Sequence, residues 1–181
     1  NQAQQTLIRK TFGCSRLIFN QLLAEQKEKE RYWTIVNEMV QSGQLPQNNW
    51  VSSFFNKVKN INKLPQMKKE FSFLKEVDSI ALQSAVENLA DSYDRFYKKQ
   101  TKQPKFKSKK NPVQSYTTKC VNNNIRIEGN NIRLPKLGTV RFAKSREVSG
   151  VIKRVVIRQN AAGKFFISVL TEAEVTPLPK T

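Results

Sequence analysis

The chain has 181 residues and carries 32 lysines and arginines against 14 aspartates and glutamates, a net charge of +18. With 38% hydrophobic and 25% charged residues it is a globular sequence, and no apolar run approaches the roughly 18 residues of a membrane helix. There is no histidine, and the two cysteines, Cys14 and Cys120, stand far apart without a CxxC partner. This excludes zinc sites and histidine-based acid–base or triad chemistry within the chain.

In chain order, Ile8, Phe12, Ser15, Ile18 or Phe19, and Leu22 follow a helical stripe and predict one long helix over residues 2–40. Its remaining surface carries Arg9, Lys10 and Arg16, and Gly13 within it suggests a close packing contact. Ser42–Asn49 reads as a loop. A second helix is expected over Asn49–Ile61, with Val51, Phe54, Phe55, Val58 and Ile61 inward and Pro65 closing it off. A short turn through Gln66–Phe73 then leads to a central helix. Asp78 is its N-cap candidate, and Leu82, Val86, Leu89, Tyr93 and Phe96 form its apolar stripe.

The acids stop after Asp94. Arg95, Lys98, Lys99, Lys102, Lys105, Lys107, Lys109, Lys110, Lys119 and Arg126 follow with no Asp or Glu before Glu128, interleaved with Phe96, Tyr97, Phe106 and Tyr116. A helix that runs into an uncompensated basic loop makes a phosphate-binding surface, and a net charge this high calls for a polyanion such as nucleic acid.

Past Pro104 the hydrophobic period changes from 3.6 to 2. Ile125, Ile127, Ile132 and Leu134 flank a hairpin turn at Gly129-Asn130, and Thr139–Phe142 reads as a short strand. Val151, Lys153, Val155 and Ile157 are expected to pair with Phe165, Ile167 and Val169 across the turn Asn160–Gly163. The expectation is an α+β chain: a helical bundle, then a small antiparallel barrel of about five strands. Two prolines in the terminal TPLPK mark a linker.

Catalytic groups are not legible. Glu87, Asp91 and Asp94 share one helix face, but with Arg95 and Lys98 beside them they read as solvated charges rather than a metal site. No glycine pattern of the phosphate-loop kind occurs among six glycines.

Four blocks carry a family resemblance: TLIRKTFGCSRLIFNQLL (Thr6–Leu23), FLKEVDSIALQSAVENLADSYDRFYKK (Phe73–Lys99), PKFKSKKNPVQSYTT (Pro104–Thr118) and IRIEGNNIRLPKLGTVRF (Ile125–Phe142). In collinear order they resemble the transposon-encoded TnpB/OrfB proteins, compact relatives of type V CRISPR effectors. The resemblance implies a helical recognition (REC-like) domain over 1–103 and an oligonucleotide-binding (OB-like) wedge (WED) barrel over 104–175. Residues 176–181 would be a linker toward a RuvC-like nuclease domain that is absent from this stretch, as are the family's initial strand before Asn1 and its CxxC zinc ribbon. It implies guide RNA and double-stranded target DNA as partners, no membrane or small-molecule substrate, and a prokaryotic cytoplasmic, nucleoid-associated location. No cofactor is expected in the chain itself, Mg²⁺ being expected only for the RuvC domain.

The alternatives are a nuclease-dead, RNA-guided DNA-binding repressor of the same family and a plain helix-turn-helix DNA-binding module. The candidate nucleic-acid-binding residues are Arg9, Lys10, Arg16, Gln83, Arg95, Lys98, Lys99, Lys102, Lys105, Phe106, Lys107, Lys109, Lys110, Tyr116, Thr117 and Thr118. Gln83 leads for base contact, since an amide donates and accepts at once and suits the N6/N7 edge of adenine. Tyr116 is assigned to stacking, and Thr117 to thymine-methyl or hydroxyl contact.

Overall fold

The computed structural model describes residues 1–46 and 53–173. Helix α1 runs Gln2–Gln41, opened by a capping box in which Asn1 and Gln4 satisfy each other's backbone N–H groups. The stripe of Ile8, Phe12, Ser15, Ile18, Phe19 and Leu22 is buried as its spacing requires. Gly13 departs from expectation: an added Cβ would meet only the Arg16 guanidinium, 4.0 Å away, so no close packing demands glycine there.

The second helix is much shorter than its pattern predicts. α2 spans Lys57–Ile61, because Asn56 adopts an extended backbone and caps it by accepting from the Lys59 N–H at 2.8 Å. Phe54 and Val58 are consequently exposed, each at 63%, rather than inward, while Asn49–Ser52 lie outside the described residues. Pro65 does not close a helix but sits in the first turn of α3 (Leu64–Glu70), where its missing N–H costs nothing. The expected turn is thus α3 followed by a 3₁₀ turn over Ser72–Lys75. α4 spans Ser79–Tyr97, with Asp78 as N-cap.

Among the described residues six strands follow: β1 Gln114–Lys119, β2 Arg126–Glu128, β3 Asn131–Leu134, β4 Gly138–Arg141, β5 Val151–Gln159 and β6 Phe165–Glu172. The Gly129-Asn130 turn forms with Gly129 at φ +57° and Ile127 opposite Ile132, as the sequence predicts. The expected barrel does not close among the described residues. Instead there are two three-stranded antiparallel sheets, ordered β1-β5-β6 and β2-β3-β4. Strands of three and four residues offer too few ladder bonds to seal against the long β5–β6 hairpin. A largely apolar cleft of about 550 Å³ lies between the sheets, lined by Ile8, Val140, Phe142, Ile157 and Phe165 among others.

Two cores result. Ile18, Leu22 and Leu23 of α1 pack on Leu64, Met67, Leu74, Val77 and the α4 stripe. Nearer its start, α1 places Ile8 and Phe12 among Tyr116, Ile125, Ile132, Leu134, Val155 and Ile157 of the sheets. One helix therefore serves both cores, and Gln4 fixes its first turn to the β3–β4 hairpin through the Leu137 and Thr139 carbonyls, at 3.2 and 2.7 Å.

The pairing of β5 with β6 is as expected at Val155–Val169 and Ile157–Ile167, but a bulge between Ile152 and Arg154 shifts the phase. Val151 and Lys153 are therefore exposed. Gly150, at φ +85°, lies against the Glu172 backbone, and a Cβ there would run into the Glu172 carbonyl. Gly150→Ala is expected to destabilise the chain by roughly 2 kcal/mol, from the left-handed backbone and the clash together. A urea midpoint unchanged from the parent would refute this role.

Candidate nucleic-acid interface

The basic segment after α4 is held against α1 rather than hanging free. The Asn20 side chain clasps Lys107 at both backbone groups, accepting from its N–H at 2.8 Å and donating to its carbonyl at 2.9 Å. Gln103 donates to the Glu30 carboxylate at 2.7 Å, and Pro104 is buried. Ser108 and Asn111 make local side-chain turns, and the Gln114 amide donates to both of their carbonyls. Arg16 donates to the Gln114 side-chain oxygen at 2.7 Å, tying α1 to the start of β1. A cleft of about 360 Å³ lies between helix and segment, with Ser15, Arg16, Phe106, Lys107 and Gln114 among its walls.

The cations divide by what they touch. Arg95, Lys98, Lys99, Lys102, Lys105, Lys109 and Lys110 are exposed, and none has a carboxylate within 4.0 Å among the described residues. Lys107 is exposed as a residue, but its ammonium sits 4.0 Å from the Phe19 ring centroid, and burial there pushes its pKa down. Exposed Phe106 has the Lys27 ammonium 5.1 Å from its centroid. Arg9 stands over the Phe165 ring at 5.6 Å.

Lys10 is differently placed from expectation. It pairs with Glu76 at 2.6 Å, and that hydrogen bond raises its pKa, so its charge is already answered within the chain.

α4 ends in a Schellman motif: the Gln100 N–H donates to the Arg95 carbonyl and the Lys99 N–H to the Phe96 carbonyl, both at 2.9 Å. The left-handed position of that motif, φ +58°, is held by Lys99 where glycine is the unstrained choice. Lys99→Gly is expected to raise thermal stability by about 1 kcal/mol while weakening polyanion binding through the lost charge. A loss of stability would show that the lysine side chain contributes packing.

Two assigned residues are structural. Tyr116 is buried, tilted against Phe12 at 5.7 Å between centroids, so in this arrangement its ring has no face for a base. Burial also pushes its phenol pKa up. Thr118 is buried and donates its hydroxyl to the Asp78 carboxylate, which simultaneously accepts the Ile80 N–H at 2.9 Å. Both face inward because β1 is a strand, and alternation sends Tyr116 and Thr118 to one face and Thr117 to the other.

Gln83 is exposed, as its helix position requires, and borders a shallow groove with Asn62, Pro65, Lys68 and Ser79, where Lys68 donates to the Ser79 hydroxyl at 2.7 Å. In the acidic triplet of α4, Glu87 is engaged by Lys119 at 2.6 Å, Asp91 and Asp94 are exposed, and no group of three potential metal ligands exists among the described residues.

One basic cluster escaped the sequence reading. Register places Arg126 directly opposite Arg133, both exposed, beside Lys136 in a cleft of about 450 Å³ with Asn122, Asn123 and Asn124. Like charges facing each other across a ladder are destabilising without an anion between them. Six residues lie between the two arginines in the chain, and only the Gly129 turn, read with its register, brings them together.

No helix among the described residues is long and apolar enough to cross a membrane. Among the described residues five carboxylates are paired with lysines, and a docked row of lysines stays open, a surface whose field is suited to a polyanion. Residues 1–31 match the family model HTH_OrfB_IS605, described as a helix-turn-helix domain. The chain is 30% identical over 176 residues to the Escherichia coli (strain K12) protein "Putative RNA-guided DNA endonuclease InsQ". It is 27% identical over 185 residues to a "Putative RNA-guided DNA endonuclease" of Streptomyces pristinaespiralis.

The matches cover 96% and 98% of this chain but 38% and 40% of those proteins, so the chain spans about two fifths of their length. The chain belongs to the TnpB/OrfB family. Of the matched residues, Asn1 caps the single uninterrupted helix α1 and the rest lie within it, with no turn between two helices.

Proposed function

We propose that this chain is the nucleic-acid-binding recognition portion of a TnpB-like RNA-guided DNA endonuclease, holding guide RNA and target DNA beside a short target-adjacent motif. The observation that carries the reading is the uncompensated basic segment docked along α1, with Lys98, Lys99, Lys102, Lys105, Lys109 and Lys110 open to solvent. In such a system base pairing reads the sequence, and the protein supplies backbone contacts and reads only a short motif. The helical region and the two sheets correspond on this reading to REC and WED. Cleavage, with its Mg²⁺, is assigned to residues outside this stretch, since the carboxylates among the described residues do not gather into a group of three ligands. The plain helix-turn-helix alternative loses ground because α1 is continuous.

Two measurements test this. The purified protein should carry co-purifying RNA; isolation free of RNA, with binding to duplex DNA alone, would favour a simple DNA-binding module. Gln83→Ala should then cost roughly 1–3 kcal/mol on the preferred motif and relax preference at one base. Off-motif binding should barely move, because phosphate contacts supply it. In competition across a randomised motif library, equal loss on every motif or no loss on any removes Gln83 from base readout.

A further inference from the structure

The outward face of the β1-β5-β6 sheet is a three-by-three grid set by register. Ser115, Arg158 and Phe166 form one row, Thr117, Val156 and Ser168 the next, and Lys119, Arg154 and Leu170 the third. Residues directly opposite in antiparallel strands share a face, and here the other face is the one buried in the core through Tyr116, Val155 and Ile157. The grid itself is open: Phe166 is 44% and Leu170 49% exposed, and Ser115, Arg154, Arg158 and Ser168 are exposed as well.

Its charge is one-sided. Among the described residues, the carboxylates that reach this face, Glu87 beside β1 and Glu172 at the end of β6, are taken up by Lys119 and Lys153 respectively. Lys164 adds a further exposed cation at the hairpin end. Arg154 and Arg158 have no carboxylate within 4.0 Å among the described residues, and the Arg158 guanidinium lies 5.9 Å from the Phe166 ring centroid.

We propose that this face binds single-stranded nucleic acid, with Phe166 as the base-stacking platform and Arg154 and Arg158 on the phosphates. The site rests on the reading above but is separate from the basic segment and from Gln83. An exposed ring beside one guanidinium, with a second guanidinium and serine hydroxyls farther along the same sheet face, matches unstacked bases, whose faces are free; a duplex hides those faces and presents mainly phosphate. Charge decides against an apolar protein surface as the occupant, because docking one would strip water from two unpaired arginines.

The test uses the 181-residue chain in anisotropy titrations with oligo(U), oligo(dT) and a duplex of equal length. Phe166→Ala should weaken binding to the single strands by about 5- to 150-fold and leave duplex binding nearly unchanged, and Phe166→Trp should retain affinity. Arg154→Gln with Arg158→Gln should flatten the single-strand salt slope by about 0.7 for each phosphate no longer neutralised. The ratio between oligo(U) and oligo(dT) tells which strand chemistry the face takes.

Thermal unfolding confirms that the exposed substitutions leave the fold intact, and the arginine pair tests the face independently should Phe166→Ala unfold. If single-strand binding is unaffected by all three changes but falls when Lys105, Lys109 and Lys110 are replaced, the face is not the site, and the proposed function still stands. A monomer–dimer equilibrium abolished by Phe166→Ala would assign the face to a second copy instead. If the parent binds none of the three probes, the proposed function fails, and this inference with it.

Discussion

Replacing Lys105, Lys109 and Lys110 with alanine is expected to weaken binding to every nucleic-acid sequence alike and to flatten its salt dependence. Each phosphate no longer neutralised reduces the log–log slope by about 0.9 on duplex DNA and about 0.7 on single strands. These three lysines are exposed without acidic partners among the described residues, on a segment whose backbone is pinned to α1 by Asn20. Adding Lys107→Ala should change the slope little further, because that ammonium is sequestered over Phe19. It should lower stability instead, because the Phe19 ring is left without its cation. A slope unchanged in the triple variant would reduce the segment to a solvated strap. A full extra unit on adding Lys107→Ala would mean that Lys107 leaves Phe19 to meet phosphate.

Asp78→Ala is expected to destabilise the chain by about 2–4 kcal/mol. The substitution removes the α4 N-cap, costing about 1 kcal/mol, and leaves the buried Thr118 hydroxyl without an acceptor, costing about 1–3 kcal/mol more. Both bonds converge on a carboxylate that is 6% exposed, at the junction of α4 with β1. Asp78→Asn keeps an acceptor and should lose less. Adding Thr118→Val to Asp78→Ala should recover part of the loss, because the orphaned hydroxyl goes with it. Urea unfolding measures all three, and an Asp78→Ala midpoint equal to the parent's would sink the assignment.

Much of the molecule was legible in one dimension because its signals are local. Helical spacing marked α1 from Ile8 to Leu22 and α4 from Leu82 to Tyr93, Asp78 was readable as a cap, and Gly129-Asn130 as a turn. A cap or a two-residue turn is decided by residues within four positions of each other, so chain order carries the information. The same locality misled at Pro65 and in the stretch before α2. A proline that ends one helix and one that opens the next look alike in sequence, and Asn56 settled where α2 begins.

The sequence by itself determined the α+β order of elements, the excess of 18 positive charges and the unbroken basic run after Asp94, all properties of composition and short spacing. Only the tertiary structure decided which of those charges remain open. Glu76 and Glu87 answer Lys10 and Lys119 across 66 and 32 residues of chain, distances no periodicity spans. The strand alternation of β1, hidden behind a lysine-rich run, turned Tyr116 and Thr118 into core residues and left Thr117 on the other face. The pairing of Arg126 with Arg133, and the grid around Phe166, likewise exist only once strand register is set. Ladder hydrogen bonds join residues far apart in sequence, and burial of one face then decides which side chains the other presents to solvent.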